Sequence, residues 1–175
     1  MHYIGKYESP LGGITLASDG KNLTGLWFDG QKYFADGLPK EHTKKNLPVF
    51  EQAAKWLDIY FSGRDPGPVP PISTVDASPF RRRVWEILLE IPFGQTTTYG
   101  NIAKLMERET GKRVSAQAVG GAIGRNRISV IIPCHRVVGT NGSLTGYAGG
   151  TDKKFALLKN EGADMSRFFV PERRG

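Results

Sequence analysis

Hydrophobic and polar residues alternate with a period of two near the start of the chain. Ile14-Thr15-Leu16-Ala17-Ser18 and Leu23-Thr24-Gly25-Leu26-Trp27-Phe28 read as two strands, and Asp19-Gly20 between them offers the positive φ of a tight primed turn. Residues 3–7 read as a preceding strand, and residues 29–46 are polar and irregular. From Leu47 the period lengthens to that of a helix. Phe50, Ala53, Ala54, Leu57, Tyr60 and Phe61 fall on one face, Pro48 fits a first turn and Gly63 ends the run. Residues 64–71, Arg-Asp-Pro-Gly-Pro-Val-Pro-Pro, can continue neither a helix nor a central strand and read as a linker.

Beyond the linker the pattern is helical. Ser78-Pro79 is a cap and first-turn proline before the apolar face Phe80, Val84, Ile87, Leu88 and Ile91, which stops at Pro92. Arg81-Arg82-Arg83 reads as its solvated side. Thr98 caps a short helix through Ile102, Leu105 and Met106, and Ser115 caps another through Val119 and Ile123. Two short helices joined by a brief turn predict a helix-turn-helix. A last helix starts at Thr151-Asp152, presents Phe155, Leu157 and Leu158, and closes at Gly162. The expected class is α+β, with an N-terminal α/β domain over 1–72 and a helical, helix-turn-helix-like domain over 73–175.

Composition narrows the function. No run of about 18 apolar residues is present, so no membrane span is expected. Residues 1–6 lack a basic stretch leading into an apolar one, which predicts a cytoplasmic protein. The single cysteine excludes an internal disulfide and a multi-cysteine zinc site, and His2, His42 and His135 are too scattered to suggest a metal cluster. The net charge of +7 is lopsided: residues 1–75 carry eight Lys/Arg and eight Asp/Glu, residues 76–175 carry 16 against nine. A basic half beside a neutral one suits polyanion binding, and a solubility surface accounts for charge alone equally well.

The stretch Ile128-Ser129-Val130-Ile131-Ile132-Pro133-Cys134-His135-Arg136-Val137-Val138-Gly139 wedges polar residues between apolar runs. Polar groups there are costly to bury without partners. A lone cysteine is more often a small buried hydrophobe than a nucleophile. A neighbouring His and Arg in a basic domain shift the balance toward thiolate, the reactive form.

Pro133-Cys134-His135-Arg136-Val137 resembles the active-site motif of the O6-alkylguanine–DNA alkyltransferases, the methylated-DNA–protein-cysteine methyltransferases. Tyr99, Ala118-Val119-Gly120-Gly121-Ala122, Asn126, Gly146-Tyr147-Ala148-Gly149-Gly150 and Glu161-Gly162 follow in the family's order and near its spacing, so the resemblance covers roughly residues 76–165. It implies a ribonuclease H-like sheet with a helix in the N-terminal domain and a winged helix-turn-helix-like C-terminal domain. It also implies single-use transfer of the alkyl group of O6-alkylguanine, with O4-alkylthymine as a second substrate to test, from double-stranded DNA to Cys134. The protein would act as a monomer without cofactor or metal.

The residue roles implied are these. Cys134 accepts the alkyl group, His135 is the base acting through a water, and Glu161 orients the imidazole. Tyr99 donates to the departing guanine, and Asn126 ties the reactive turn to the DNA-binding helix. Val137, Tyr147, Ala148 and Ser129 line the base pocket. Ala116–Gly124 docks in the minor groove through Gln117, Ala118, Gly120 and Gly121, with Arg125 and Arg136 beside it, and the damaged base is flipped out of the stack. Each has a plainer alternative: His135 as a core or capping histidine, Glu161 as a solvent-facing helix end, Tyr99 as an aromatic anchor, Asn126 as a helix cap, the glycines as close helix packing or a bare turn. Two positions depart from well-known members of the family. Gln117 stands where they carry an arginine that fills the gap left by the flipped base, which leaves Arg125, Arg127, Arg113 and Lys112 for phosphates. Ser129 stands where some carry a proline lining the alkyl pocket. Competing functions are a lesion-binding protein of the same fold that lacks transfer, a cysteine hydrolase, and a helix-turn-helix regulator with a structural cysteine. The first lacks a cysteine that this chain has, and the second needs a remote catalytic histidine that His2 and His42 do not offer.

Overall fold

The computed structural model describes residues 1–171. Strands β1 (Tyr3–Ser9), β2 (Gly12–Ser18), β3 (Leu23–Phe28) and β4 (Thr43–Lys44) form one sheet in the order β3-β2-β1-β4. β1, β2 and β3 are antiparallel neighbours, with Ile4 opposite Ala17 and Ile14 opposite Phe28, and β4 runs parallel to β1. The β2–β3 turn is wider than Asp19-Gly20 alone predicts. Asp19 Oδ1 accepts the N–H groups of Lys21 and Asn22 at 3.0 and 2.8 Å, and a register shift at Ala17/Ser18 absorbs the extra residues.

Helix α1 (Pro48–Phe61) buries Val49, Phe50, Ala53, Trp56, Leu57 and Tyr60. The edge of β3 does not end the sheet's pairing. Leu23 bonds to Pro71 and Ser73, and Leu26 to Arg127 and Ser129, at 2.8–3.0 Å. The linker and the segment leading to Cys134 therefore both lie along this strand, and a single apolar core runs from Ile14 and Leu16 through Tyr60 to Val119 and Cys134.

The remaining helices begin where the hydroxyl caps predict. Ser78, Thr98 and Ser115 accept the N–H groups of Arg81, Asn101 and Ala118 at 3.3, 3.1 and 3.0 Å, opening α2 (Pro79–Leu89), α3 (Tyr99–Thr110) and α4 (Ala116–Gly124). Gly111 ends α3 in the left-handed conformation. The buried side of α2 is Val84, Trp85, Ile87 and Leu88, and Phe80, expected on it, is exposed. Trp85 Nε1 donates to Ala122 O at 2.9 Å and fixes α4 against α2. Arg81-Arg82-Arg83 is half-buried rather than fully solvated, and Arg83 pairs with Glu86 and Glu109. A short parallel pair, β5 (Thr97–Thr98) with β6 (Val137–Val138), joins the start of α3 to the residues after Cys134. Helix α5 (Thr151–Asn160) closes the fold. Among the described residues, no helix is long and apolar enough to cross a membrane.

The bareness of α4 is not explained by internal packing. A Cβ added at Gly121 or Gly124 would meet nothing within 4 Å, and one at Gly120 would make only ordinary contact with the Tyr99 ring, at 3.8 Å. Glycine in a helix costs up to about 1 kcal/mol relative to alanine, so the protein carries this cost on an open face. Gly121→Ala is therefore expected to raise stability in urea unfolding by up to about 1 kcal/mol while weakening duplex DNA binding. A destabilised variant with unchanged DNA affinity would show that the glycine serves the fold instead.

Candidate active site

The reactive turn is built by backbone restraint. Asn126, just past the end of α4, donates from Nδ2 to Ile132 O at 2.8 Å and accepts the Ile128 N–H at 3.0 Å on Oδ1. Its side chain thus closes residues 126–132 into a loop whose other side is pinned to Leu26. Inside that loop Val130 has φ 69°, a left-handed conformation that costs a β-branched residue energy and persists because its neighbours leave it no alternative. The chain then enters a single 3₁₀ turn, Cys134–Arg136. Asn126 and the turn stand together as expected, with the asparagine acting on the loop rather than capping the helix.

Cys134 is free and buried. Burial pushes its thiol up, against the pull of the Asn126 side chain and the Lys154 ammonium. The resting form is the thiol. The thiolate suggested by a neighbouring His and Arg is corrected, because desolvation of the anion outweighs the nearby charge.

Behind the thiol lies a sealed charge network. His135 is fully buried, and its Nε2 donates to Glu161 Oε2 at 2.5 Å. Tyr60 Oη also donates to Oε2, at 2.6 Å. Glu161 Oε1 accepts from the Gly94 N–H at 2.9 Å and from Arg136 Nε at 2.8 Å. Burial works to raise the Glu161 carboxyl, but the hydrogen bonds from His135 and Arg136 and the charge of the Arg136 guanidinium outweigh it and hold it at about 2. Burial pushes His135 down, so its imidazole is neutral near pH 7, and its Nδ1 has no protein hydrogen bond. That nitrogen is the one free to take a proton. Glu161 therefore sits where the resemblance implies and is not a solvent-facing helix end.

Arg136 requires correction as a DNA contact. It is only 8% exposed, with Nε on Glu161 and Nη1 donating to Ile91 O at 2.7 Å. Its guanidinium neutralises the buried carboxylate and does not face solvent. Arg127 is also drawn inward, with Nε 3.7 Å from Asp36, and Arg125 lies 3.9 Å over the Tyr33 ring. Gln117, Ala118, Gly121, Lys112 and Arg113 are exposed.

Tyr99 Oη donates to Thr145 O at 3.0 Å and accepts from Lys154 Nζ at 3.4 Å. Burial raises the Tyr99 phenol to about 12, and Cys134 adds to this. Lys154 is fully buried, also donates to Thr145 O at 2.9 Å, and is lowered by that burial to about 8. Val137, Ser129 and Tyr147 are buried around the thiol's segment, and the Tyr147 hydroxyl has no protein partner. Ala148 O accepts the Lys32 N–H at 3.1 Å. A groove of about 290 Å³ separates Gly120, Gly121 and Gly124 of α4 from Gly146, Tyr147 and Ala148, with Lys32 and Tyr33 at its rim.

Lys154, Tyr60 and Gly94 were not singled out in the sequence. Lys154 had a usable signal: Lys154, Leu157, Leu158 and Glu161 recur at i, i+3, i+4 and i+7, so both charges lie on the buried stripe of α5. The expected stripe through Phe155 is rotated from it. Tyr60 was legible as a core residue, and its hydroxyl's partner 101 positions away was not.

A buried lone thiol, a neutral imidazole held by a carboxylate, and an adjoining helix-turn-helix with a bare second helix fit a cysteine alkyl acceptor attached to a DNA-binding unit. The chain belongs to the 6-O-methylguanine DNA methyltransferase family: the family's ribonuclease-like domain matches residues 2–66 and its DNA-binding domain residues 79–163. It is similar to the methylated-DNA–protein-cysteine methyltransferase of Haemophilus influenzae, at 37% identity over 91% of this chain and 86% of the relative. The enzyme of that name from Methanosarcina acetivorans is 41% identical over 92% of this chain and 99% of its own. Among solved structures, Mycobacterium tuberculosis OGT in complex with DNA superposes with a TM-score of 0.79 at 37% identity, covering 95% of this chain and 94% of that one.

The depressed Glu161 value fixes the sign of an acid response. A carboxyl at about 2 in the fold and near 4.5 when unfolded adds about 3 kcal/mol above pH 4.5, and this is lost as pH falls through about 2. Arg136→Met removes one of the charges that hold the value down. Urea unfolding should show the variant less stable at pH 7 by roughly 3 kcal/mol or more, with its acid loss beginning at higher pH. Its salt slope for DNA binding should match the wild type. A slope reduced by about one, with an unchanged pH response, would return Arg136 to the phosphates.

Proposed function

We propose that this protein repairs DNA by moving the alkyl group of O6-alkylguanine irreversibly onto Cys134. As a family member it is a methylated-DNA–protein-cysteine methyltransferase, spent after one turnover. The observation that carries the reading is the lone thiol buried beside a relay whose His135 Nδ1 is free to accept a proton. His135 takes the Cys134 proton through a water. The thiolate sulfur bonds to the alkyl carbon in line with the breaking C–O6 bond, whose electron pair leaves on guanine. Tyr99, turning from Thr145 O to the base, supplies a proton to the guanine ring, and the Lys154 ammonium beside it offsets the charge.

The base reaches the thiol by leaving the helical stack through the groove between α4 and Tyr147–Ala148. Gln117, exposed in the first turn of α4, fills the gap by hydrogen bonding rather than by charge. Residues 73–175 carry DNA binding and transfer, while residues 1–72 brace them. A complex with DNA in the Mycobacterium tuberculosis relative supports DNA as the partner. The protein works as a monomer, and its lone reduced thiol suits the cytoplasm. The presence of Cys134 disfavours a lesion binder without transfer.

Incubation with a duplex carrying radiolabelled O6-methylguanine should give an uptake approaching one methyl per chain and then stop, with none for Cys134→Ser. Because Lys154 loses its proton above about 8, the rate constant should fall on that alkaline side. Uptake well beyond one per chain, or none in reduced wild type, would refute the transfer reading.

A further inference from the structure

We infer that the Tyr60 hydroxyl, delivered by α1 from the N-terminal half, is a positioning residue for alkyl transfer: it occupies the fourth acceptor site on Glu161 and so governs how strongly that carboxylate draws on His135. The inference rests on the transfer function proposed above.

A carboxylate offers about four acceptor sites, two on each oxygen. On Glu161 all four are taken: Gly94 N–H and Arg136 Nε on Oε1, His135 Nε2 and Tyr60 Oη on Oε2. The two donors on Oε2 compete for the same electron density, and Tyr60 Oη lies 3.3 Å from His135 Nε2. The phenol's aim is locked. Its ring stacks on Trp56 at 5.6 Å and 6°, and meets Phe61 and Phe93 edge-on at 5.2 and 6.0 Å. Asn160 Nδ2 donates to Tyr60 O at 2.8 Å, fastening the end of α1 to α5, which carries the glutamate just past its end.

Removing the hydroxyl leaves His135 as the sole donor to Oε2. The carboxylate then pulls harder on the imidazole and favours its protonated form, which cannot act as a base. The other groups facing the pair are Arg136 from the 3₁₀ turn, Lys154 from α5, Tyr147 from the pocket loop and the Cys134 thiol, and all persist in the variant. A purely structural Tyr60 would lower stability and leave the pH dependence of transfer unmoved.

The test is the second-order rate constant for methyl transfer from an O6-methylguanine duplex, followed from pH 5 to 9. Tyr60→Phe keeps the ring and should shift the acid midpoint upward by about half a unit or more, slowing transfer several-fold at pH 6 and much less at pH 8. Site-specific 3-fluorotyrosine at position 60 keeps the fold and is a stronger donor, so it should shift the midpoint downward. Asn160→Ala loosens the same junction without touching Glu161 and should leave the midpoint in place. Unmoved midpoints in both position-60 proteins, or an equal shift in Asn160→Ala, would overturn the positioning role. Failure of the wild type to take up methyl at any pH would instead refute the transfer function.

Discussion

The buried Glu161 carboxylate is the constraint on which the rest of this structure depends. Removing such a charge from water costs several kcal/mol, and a fold can hold it only if every lone pair finds a donor. The four donors come from three places: α1, the turn after α2, and two successive residues of the 3₁₀ turn. Satisfying one side chain thus requires the N-terminal helix, the turn after α2 and the reactive turn to be in register at once. The same requirement orients His135, and burial keeps it neutral, beside a thiol that burial also keeps neutral. Two neutral, desolvated partners form a site that stays quiet until a substrate enters.

Energy is spent elsewhere to present that site. Val130 holds a left-handed backbone, and α4 carries glycines where alanine would fit. The glycines leave open space where a side chain would fit. The strained valine turns the chain into the reactive turn, and the open glycine face beside a groove lets another backbone approach closely. Both are local violations of folding economy at a functional site, where such violations are expected.

The sequence was most legible where local chemistry decides the outcome. Ser78, Thr98 and Ser115 mark helix starts because their hydroxyls satisfy N–H groups within the same turn. The β2–β3 hairpin is evident from alternation, but the length of its turn depends on a bulge and on Asp19 bonding to Lys21 and Asn22. Long-range electrostatics were least legible. Lys154 and Glu161 lie on the buried stripe of α5, and a reading that expects apolar residues there rotates the helix toward Phe155. Arg136 looks like a DNA contact in a basic half and is instead the counter-charge of Glu161. Tyr60 is an ordinary core aromatic until the fold brings its hydroxyl to a residue in the other half of the chain.

The central claim is that burial keeps His135 a neutral base while Glu161 holds its proton on Nε2 and leaves Nδ1 bare. Nitrogen-15 NMR of the histidine-labelled protein at pH 7 reads both properties directly from the two ring nitrogens. The account predicts one protonated and one unprotonated nitrogen, with the proton on Nε2 toward Glu161. An imidazolium protonated on both nitrogens, or a neutral ring with its proton on Nδ1, would contradict it.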